Sequence, residues 1–476
     1  MSEYKTAVKD RVPFIQKAAF GSGHLVNNLM PGALAIFMFF LLTAFGMDPF
    51  LAGLLGGLPR LVDAISDPIM GYISDNTNTR FGRRRPYIFI GAILTGLIFI
   101  LLWQMDENNS QTYNFWYFLI ISVIFILANT TFSTPLIGLG YEMTSDYNER
   151  TRLMGLANIV GQVAWMVVPW FWVLIADENL FATQAEGVRT LSIIVGVIAI
   201  IFGVLPAIFC RGIDSSRIEN RQEISLKNIV VIFKDLVKGI IEVFRHKPFL
   251  RLCGATFLVF NGFQIVASFS FFIILFYLFD GDYAAAGTWP AWFSTILAMI
   301  TAFLVIPIVA WMANKWGKKK SFIISTAISI VGYGLKWWGF DPDNPMMMFL
   351  PLPLMAFGLG CLFTLMMSMT ADICDLDELE NGMPRKEGTF GAIYWWTVKL
   401  GQALALILGG AVLKWVGFDG NAATQSAETL TQLRIADIVI PAVTAGLAIL
   451  VMWNYNLTEE RARAIKAELE ERRGRL

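Results

Sequence analysis

The sequence predicts an all-α membrane protein with about twelve transmembrane helices, arranged as two similar halves. Three observations lead to this prediction. Of the 476 residues, 56% are hydrophobic and only 16% are charged, and the mean hydropathy of +0.58 exceeds that of ordinary soluble domains. Apolar runs long enough to cross a bilayer recur along the whole chain, and a short basic motif occurs once in each half.

Each predicted span is a mainly apolar run, because about 20 apolar residues in a helix cross the hydrocarbon core. Short polar loops separate the runs. The predicted spans are 24–46, 50–74, 86–104, 114–139, 153–176, 190–210, 250–279, 288–313, 321–340, 346–371, 389–417 and 433–455. The first span is expected to act as the insertion signal, since the charged segment before it does not resemble a cleavable signal peptide.

The loops alternate in charge along the chain. Basic loops, such as 80–85 and 315–320, fall on one side, and short acidic loops with Asp106 and Asp280 fall on the other. Basic loops collect on the cytoplasmic side of membrane proteins. Both termini are therefore predicted to be cytoplasmic, in a multi-pass protein of the cell membrane, and specifically of a bacterial inner membrane.

The repeated basic motif suggests two related halves. RFGRRR at 80–85 is echoed by KWGKKK at 315–320, in each case after the second helix of its half. Parallel six-helix halves are the architecture of the major facilitator fold. The predicted parts are a half at 1–210, a cytoplasmic linker with an amphipathic helix at 211–247, a half at 248–455 and a charged, solvated cytoplasmic tail at 456–476. The linker helix is expected to lie on the membrane surface or, alternatively, to bind a calmodulin-like partner.

The second helix carries three ionisable residues in an apolar context. Arg60, Asp63 and Asp67 share one helix face, at spacings of i, i+3 and i+7. Charges in membrane helices usually line a water-filled path, pair with one another or bind an ion. The face therefore predicts an ion site. The alternative is a structural Arg60–Asp63 salt bridge with Asp67 at a solvated helix end.

Composition argues against several other classes of protein. The 37 basic and 37 acidic residues cancel, so nothing favours a nucleic-acid partner. The four cysteines have no ligand spacing and there are only two histidines, so no cofactor and no metal beyond a sodium ion is expected. No set of nucleophile, base and acid indicates an enzyme. A transporter-like sensor stays an alternative, although a sensor is expected to carry a soluble output domain.

Four motifs in order link the chain to a known family. They are GSGHLVNNL, DAISDPIMGYISD, YEMTSDYNERTRL and ADICDLDELENGMPRKEGTFGAIYWWTVKLGQA. With them the chain resembles the glycoside–pentoside–hexuronide:cation symporter family of the major facilitator superfamily. The resemblance implies symport of a sugar or glycoside with H+ or Na+ by alternating access. The protein is expected to work as a monomer in the lipid bilayer.

The resemblance also implies a cation site formed by Asp63, Ser66, Asp67 and Thr130. The melibiose carrier, the best-known type of the family, has Asn where Ser66 stands. A serine oxygen can still bind sodium, whereas two carboxylates in a low-dielectric site can share and exchange a proton. Loss of the amide oxygen favours the proton. Thr130 could instead bond to its own helix backbone.

The implied substrate site departs further from the melibiose carrier. Asn28, Ser133 and Asn158 replace its three charged sugar ligands, and Ile137 and Phe363 replace its two stacking tryptophans. Amides, hydroxyls and aromatic rings suit a neutral glycoside other than melibiose. The predicted substrate-binding residues are Asn28, Ser133, Asn158, Phe363, Trp395, Lys399 and Gln402.

Further predictions concern charged residues near the helix ends. A cytoplasmic gate is expected from Arg60, Asp75, Arg80, Arg83, Asp372 and Asp375, the acids of the second half pairing with basic residues of the first when that side closes. Lys336 is expected to snorkel towards the external interface. A lysolipid or another organic solute is the alternative substrate, because animal relatives of the family carry lysophosphatidylcholine.

Overall fold

A computed structural model describes residues 11–144, 147–211, 245–381 and 387–474, together with the single positions 231, 234 and 241. Every regular element in these ranges is helical. The chain forms two compact units, Met1–Phe233 and Lys234–Leu476. The predicted linker helix at 211–247 lies almost wholly outside the described residues.

The first unit contains six helical spans. Its helices are α1 (Phe14–Thr43), α2 (Pro49–Asn76), α3 (Arg85–Leu102), α4 (Gln111–Glu142), α5 (Tyr147–Val167), α6 (Trp170–Ala176) and α7 (Gln184–Phe209). The short helix α6 completes the span that α5 begins, and Pro169 occupies the break between them. A proline interrupts a helix there because it lacks the backbone N–H.

The second unit contains the same number of spans. Its helices are α8 (Lys247–Val266), α9 (Phe269–Ile273), α10 (Tyr283–Ala286), α11 (Trp289–Ile300), α12 (Ile306–Trp316), α13 (Lys318–Gly339), α14 (Leu352–Asn381), α15 (Glu387–Trp415), α16 (Ala427–Trp453) and α17 (Glu459–Gly474). A π-helical turn, Ile274–Leu278, extends α9, and another, Thr301–Val305, joins α11 to α12 just before Pro307. Pro307 cannot donate a helix hydrogen bond, which accounts for the second irregular turn.

The predicted all-α membrane fold is confirmed. Ten segments in the described ranges are long and apolar enough to cross a membrane. The remaining two of the predicted twelve are α2, with 28 residues, and α13, with 22, both of which carry charged side chains. Charged residues inside spanning helices often have a functional role, so α2 and α13 are candidates for the functional site.

Some helices begin or end away from the residues that hydropathy predicts, because polar side chains at those ends form ion pairs or hydrogen bonds. The first helix begins at Phe14, well before the predicted residue 24. Lys17 in its first turns lies 2.6 Å from the carboxylate of Glu149 on α5. This ion pair, which hydropathy cannot detect, lets the helix continue beyond the apolar run.

Close helix packing in the first unit depends on glycine. A Cβ on Gly96 of α3 would strike the backbone oxygen of Gly196 on α7, and one on Gly91 would strike the backbone of α4 at Phe132. Small residues of this kind let membrane helices approach closely. The α3 helix therefore packs closely against both α4 and α7. The contact between α4 and α2 is described below.

The two basic motifs adopt related turns. Gly82 has φ of 91° and Gly317 has φ of 82°, values that favour glycine over residues with a side chain. In each unit this glycine precedes a basic helix start. Both basic motifs therefore contain a glycine at this position, because a residue with a side chain would strain the turn.

The prediction of a solvated tail is wrong for one face of α17. Ile465 and Leu469 are buried in the core of the second unit, and Glu459 lies against Gly317. Although α17 is mostly charged, its few apolar residues fall on one side and pack there. The charged tail is thus a docked helix.

Candidate functional site

The four residues predicted to bind a cation lie together where α2 packs on α4. The Thr130 hydroxyl on α4 donates a hydrogen bond to Asp63 Oδ1 over 3.2 Å. Its oxygen is also 3.1 Å from Ser66 Oγ. All three side chains are buried, Thr130 being only 1% exposed. The Thr130 side chain therefore points towards the carboxylate of Asp63 on the neighbouring helix, α2.

The same arrangement recurs one helical turn further along. Thr134 on α4 donates to Asp67 Oδ1 over 3.2 Å. Each carboxylate of α2 thus faces a hydroxyl of α4, because both pairs are spaced i, i+4. The sequence analysis missed Thr134, although its spacing from Thr130 was a signal that could have indicated it.

The α2–α4 cluster has the chemistry of a site for a small hard cation. It presents carboxylate and hydroxyl oxygens in a buried place, and two nearby carboxylates repel unless a cation or a proton compensates them. Arg60 lies one turn before Asp63 and is attracted to its charge. In the described residues, no group of three or more His, Cys, Asp or Glu side chains could hold a metal ion.

The first-unit residues predicted to bind substrate lie on three helices. Asn28 on α1 donates to the backbone oxygen of His24 over 3.1 Å and accepts the indole N–H of Trp165 over 3.2 Å. Ser133 on α4 is partly buried, and Asn158 on α5 is exposed. Asn28 is therefore already committed to Trp165, a residue that the sequence analysis did not select.

The second-unit residues predicted to bind substrate share a face of α15. Trp395, Lys399 and Gln402 are spaced i, i+4 and i+7, which places them above one another on the helix. Trp395 is exposed, and the other two are partly buried. Phe363 is on α14, but its side chain lies outside the described residues.

Two of the predicted gate residues of the first unit, Asp75 and Arg83, belong to an ion-pair network at the end of α2, whereas Arg60 lies deeper in α2, one turn before Asp63. Arg84 binds both Asp75 and Glu142, each over 2.6 Å. Arg83 also binds Glu142, through its Nε over 2.8 Å. Arg80 is exposed and lies over the ring of Phe81. The central members of the network, Arg84 and Glu142, were missed because Glu142 is remote in sequence.

A related ion pair follows the glycine turn of the second unit. Lys318 lies 2.6 Å from Asp372 on α14 and also donates to the backbone oxygen of Ser368. Asp375 is partly buried one turn further on the same helix. In both units a basic residue after the turn thus binds an acid on the fourth span of that unit.

The prediction that Lys336 snorkels is wrong. Lys336 on α13 is 1% exposed and forms an ion pair with Asp437 on α16, which is fully buried. It also donates to Ser270 over 3.0 Å. Hydropathy could not reveal this because Lys336, Asp437 and Ser270 lie on three helices that are distant in sequence.

Arg434 extends this buried charged cluster on α16. Its guanidinium lies 4.0 Å from the ring centre of Tyr277 and 4.4 Å from that of Trp337. It also donates to the backbone oxygen of Trp337 over 2.6 Å. Stacking on two aromatic rings and a hydrogen bond to a backbone oxygen stabilise the buried guanidinium charge of Arg434.

Glu149 lies in the first turn of α5, before the membrane-spanning segment that starts at Arg152, and the pKa of its carboxyl is perturbed. Burial alone would raise the pKa of its carboxyl, but hydrogen bonds from Lys17 and the backbone of Val12, with the charges of Lys17 and Arg152, lower it overall. The carboxylate is 2% exposed. Glu149 therefore ties the first turn of α5 to α1 in its ionised form.

Comparisons with known proteins agree with this architecture. The family model described as MFS/sugar transport protein matches residues 19–459. The isoprimeverose transporter of Lactiplantibacillus pentosus is 23% identical, over 98% of this chain and 93% of its own length. The glucuronide carrier protein homolog of Escherichia coli (strain K12) is 25% identical, over 95% of both chains.

Two further similarities extend beyond bacterial sugar carriers. The sodium-dependent lysophosphatidylcholine symporter 1-B of Danio rerio is 23% identical over 98% of this chain and 92% of its own. Among solved structures, the nucleoside transporter NupG is similar with a TM-score of 0.68 and 14% identity, covering 93% of this chain and 100% of that chain. At such low identity, the structural match concerns the fold alone.

The fold and the charged spanning helices thus define a multi-pass secondary transporter of the major facilitator superfamily, not an enzyme. The chain belongs to the MFS/sugar transport protein family, and its relatives confirm the resemblance to the glycoside–pentoside–hexuronide:cation symporters.

Proposed function

We propose that this protein is a cation-coupled symporter that carries a sugar or glycoside across the membrane by alternating access. One observation carries the proposal, namely the two hydroxyl–carboxylate pairs between α2 and α4. Paired carboxylates within a transporter's spanning helices serve ion pathways or ion binding. Two acids one helical turn apart in an apolar helix are costly unless a cation or a proton balances their charge.

In this proposal the coupling cation binds at Asp63 and Asp67, with Ser66, Thr130 and Thr134 contributing oxygens. Coupling means that the cation strengthens substrate binding and that the substrate strengthens cation binding by the same factor. The ion is H+ or Na+. We favour the proton, since the Ser66 hydroxyl is shorter than an amide and leaves fewer oxygens within reach of a sodium ion.

The proposed substrate is a neutral sugar or glycoside. The relatives include transporters named for isoprimeverose and for lactose, both of which are uncharged sugars. The residues proposed to bind it present amides, a hydroxyl, aromatic rings and one ammonium group, which suits ligand hydroxyls and an apolar ring face. A lysolipid is the second candidate, favoured by the similarity to sodium-dependent lysophosphatidylcholine symporters along nearly the whole chain.

The charged pairs after each glycine turn are proposed to act as cytoplasmic gate elements. The two transporting halves are 1–210 and 248–455, joined by the linker 211–247, and both termini are placed in the cytoplasm. Pairs such as Arg84–Glu142 and Lys318–Asp372 would then have to rearrange during the transport cycle. The protein is proposed to work as a monomer.

Counterflow in proteoliposomes tests the proposal. The purified protein is loaded with unlabelled isoprimeverose, lactose, a phenyl glucuronide or lysophosphatidylcholine, and entry of the labelled counterpart is followed with and without sodium. We expect counterflow of at least one sugar and none of the lysolipid. Counterflow of the lysolipid alone would support the second candidate and reject the sugar assignment.

A further inference from the structure

Helix α5 has two different exposed faces. Asn158, Gln162 and Trp165, at spacings of i, i+4 and i+7, form a stripe of two amides and an indole, and all three are exposed. A second exposed stripe, Ile159, Val163 and Val167, is wholly aliphatic. The centres of the two stripes are roughly 130° apart around the helix axis, because each residue turns the chain by about 100°.

The aliphatic stripe has the composition of a lipid-facing surface. The amide stripe does not, since an amide in hydrocarbon has no hydrogen-bond partner and its burial is costly. We conclude that the stripe of Asn158, Gln162 and Trp165, here called the amide–indole stripe, faces a hydrated space. A large aromatic ring facing water within a membrane transporter is unexpected unless a ligand covers it.

The indole of the amide–indole stripe is held in position. Its N–H donates to Asn28 Oδ1 over 3.2 Å, and the Asn28 amide nitrogen donates to the His24 backbone oxygen over 3.1 Å. These two bonds use opposite ends of one amide and so determine its orientation. Gly161 makes room for this contact, because a Cβ there would strike the Asn28 amide nitrogen.

We propose that Trp165 is the ring-stacking platform of the substrate site and that Asn28 is a positioning residue that orients the indole. Trp165 is 40% exposed, so a face of its ring system is open to a ligand. Asn158 and Gln162 present amide groups to the same side, where they can bind hydroxyls. This inference rests on the proposed function and deepens it.

The chemistry of the stripe specifies the class of ligand. The described stripe carries no formal charge, so it suits an uncharged ring with one apolar C–H face and several equatorial hydroxyls, as in a pyranoside. The electron-rich indole face attracts the C–H edge of such a ring. A free anionic headgroup would find no compensating charge on the stripe.

The test begins with a sugar that the wild-type protein exchanges in counterflow, taken from isoprimeverose and lactose. We expect Trp165→Ala to weaken its apparent affinity by about tenfold or more, the usual effect of losing one good apolar contact. Trp165→Phe keeps an aromatic face and should lose only a few-fold. Trp116→Ala removes another exposed tryptophan, from α4, and should leave the affinity unchanged.

A double-mutant cycle separates positioning from direct contact. Asn28→Leu should weaken binding in the wild-type background, yet add nothing to Trp165→Phe, which has no indole N–H for Asn28 to accept. The fluorescence change on sugar addition should be clearly smaller in Trp165→Phe than in the wild type, with the remaining change arising from Trp395 and the other tryptophans. That spectroscopic difference does not depend on transport and is not expected of a merely structural tryptophan.

The outcomes distinguish this inference from the proposed function. If wild-type protein exchanges no sugar, the proposed function fails and the platform fails with it. If the wild type exchanges a sugar and folded Trp165→Ala does so with unchanged affinity, the platform alone is rejected. A further loss on adding Asn28→Leu to Trp165→Phe would show direct contact of Asn28 with the sugar and would overturn its positioning role.

Discussion

The hydroxyl of Thr130 on α4 donates to the carboxylate of Asp63 on α2 over 3.2 Å, within a buried part of the first unit. The bond orients the carboxylate towards α4. Motion of α4 relative to α2 would break the bond. In the proposed mechanism, ion occupancy is thereby connected to helix position, as coupled transport requires.

The identity of the coupling ion can be tested at Ser66. Because its hydroxyl oxygen lies 3.1 Å from Thr130 Oγ1, Ser66→Ala removes an oxygen from the cluster and retains both carboxylates. We expect uptake driven by a proton gradient to change by less than about twofold, since the carboxylates alone carry the proton. Uptake should be measured against imposed sodium and proton gradients separately, with the membrane potential clamped to zero. Strong sodium-driven uptake that Ser66→Ala removes would assign sodium and place Ser66 in its coordination.

Lys399 is expected to serve both substrate affinity and coupling. Replacing its ammonium by the amide in Lys399→Gln should weaken apparent substrate affinity by about tenfold, as expected for loss of a charged hydrogen bond, and should reduce ion-driven accumulation further. Lys414→Gln, near the end of the same helix, is the matched control. Unchanged affinity and unchanged accumulation in Lys399→Gln would assign Lys399 a structural role.

The buried pair Lys336–Asp437 should reveal itself as a charge-balance effect. Lys336→Met leaves Asp437 buried without its partner and should destabilise the protein by about 3–5 kcal/mol. The double variant Lys336→Met/Asp437→Leu should recover most of this loss, because an apolar pair needs no charge compensation. The four cysteines are buried thiols outside any disulfide, so the onset of thiol labelling during heating reports unfolding. Equal instability of the single and double variants would contradict this explanation.

The acid stability of the protein should depend on Glu149. Its pKa is lowered in the folded state, so ionised Glu149 stabilises the fold above the unfolded pKa of about 4.3, and this contribution is lost as pH falls through the lower folded pKa. Glu149→Gln should lower the unfolding temperature at pH 7. As the pH falls below the unfolded pKa, the unfolding temperature of the variant should decline less than that of the wild type. Glu178→Gln is a suitable control, because Glu178 is an exposed acid in the loop after α6. An unchanged acid profile in Glu149→Gln would rule out this contribution.

The number and type of helices were predictable because hydropathy is a local property of the chain. Their ends were less predictable, as α1 shows, since Lys17 extends the helix only by virtue of Glu149. The acids of the candidate cation site stood out because a carboxylate is rare in an apolar helix. Their partners were harder to select, because a threonine in a spanning helix is common and most often bonds to its own backbone.

Tertiary ion pairs were the least predictable part of the site. Asp437 lies in an apolar span with Arg434 three residues before it, the same pattern as Arg60 and Asp63, yet without a family motif it was overlooked. Arg84 was one of three adjacent arginines, and nothing local distinguishes the one that binds both Asp75 and Glu142. Trp165 was one of 15 tryptophans and became significant only through its bond to Asn28.

The most direct test of the central claim is uphill accumulation by Asp63→Asn and Asp67→Asn in proteoliposomes with an imposed ion gradient. We expect both variants to lose accumulation while keeping some counterflow, because each loses a charge that holds the cation but retains the substrate contacts. Asp106→Asn, in an exposed loop, should accumulate substrate like the wild type. Full ion-driven accumulation by Asp63→Asn or Asp67→Asn would show that these carboxylates are structural and would contradict the proposed coupling site.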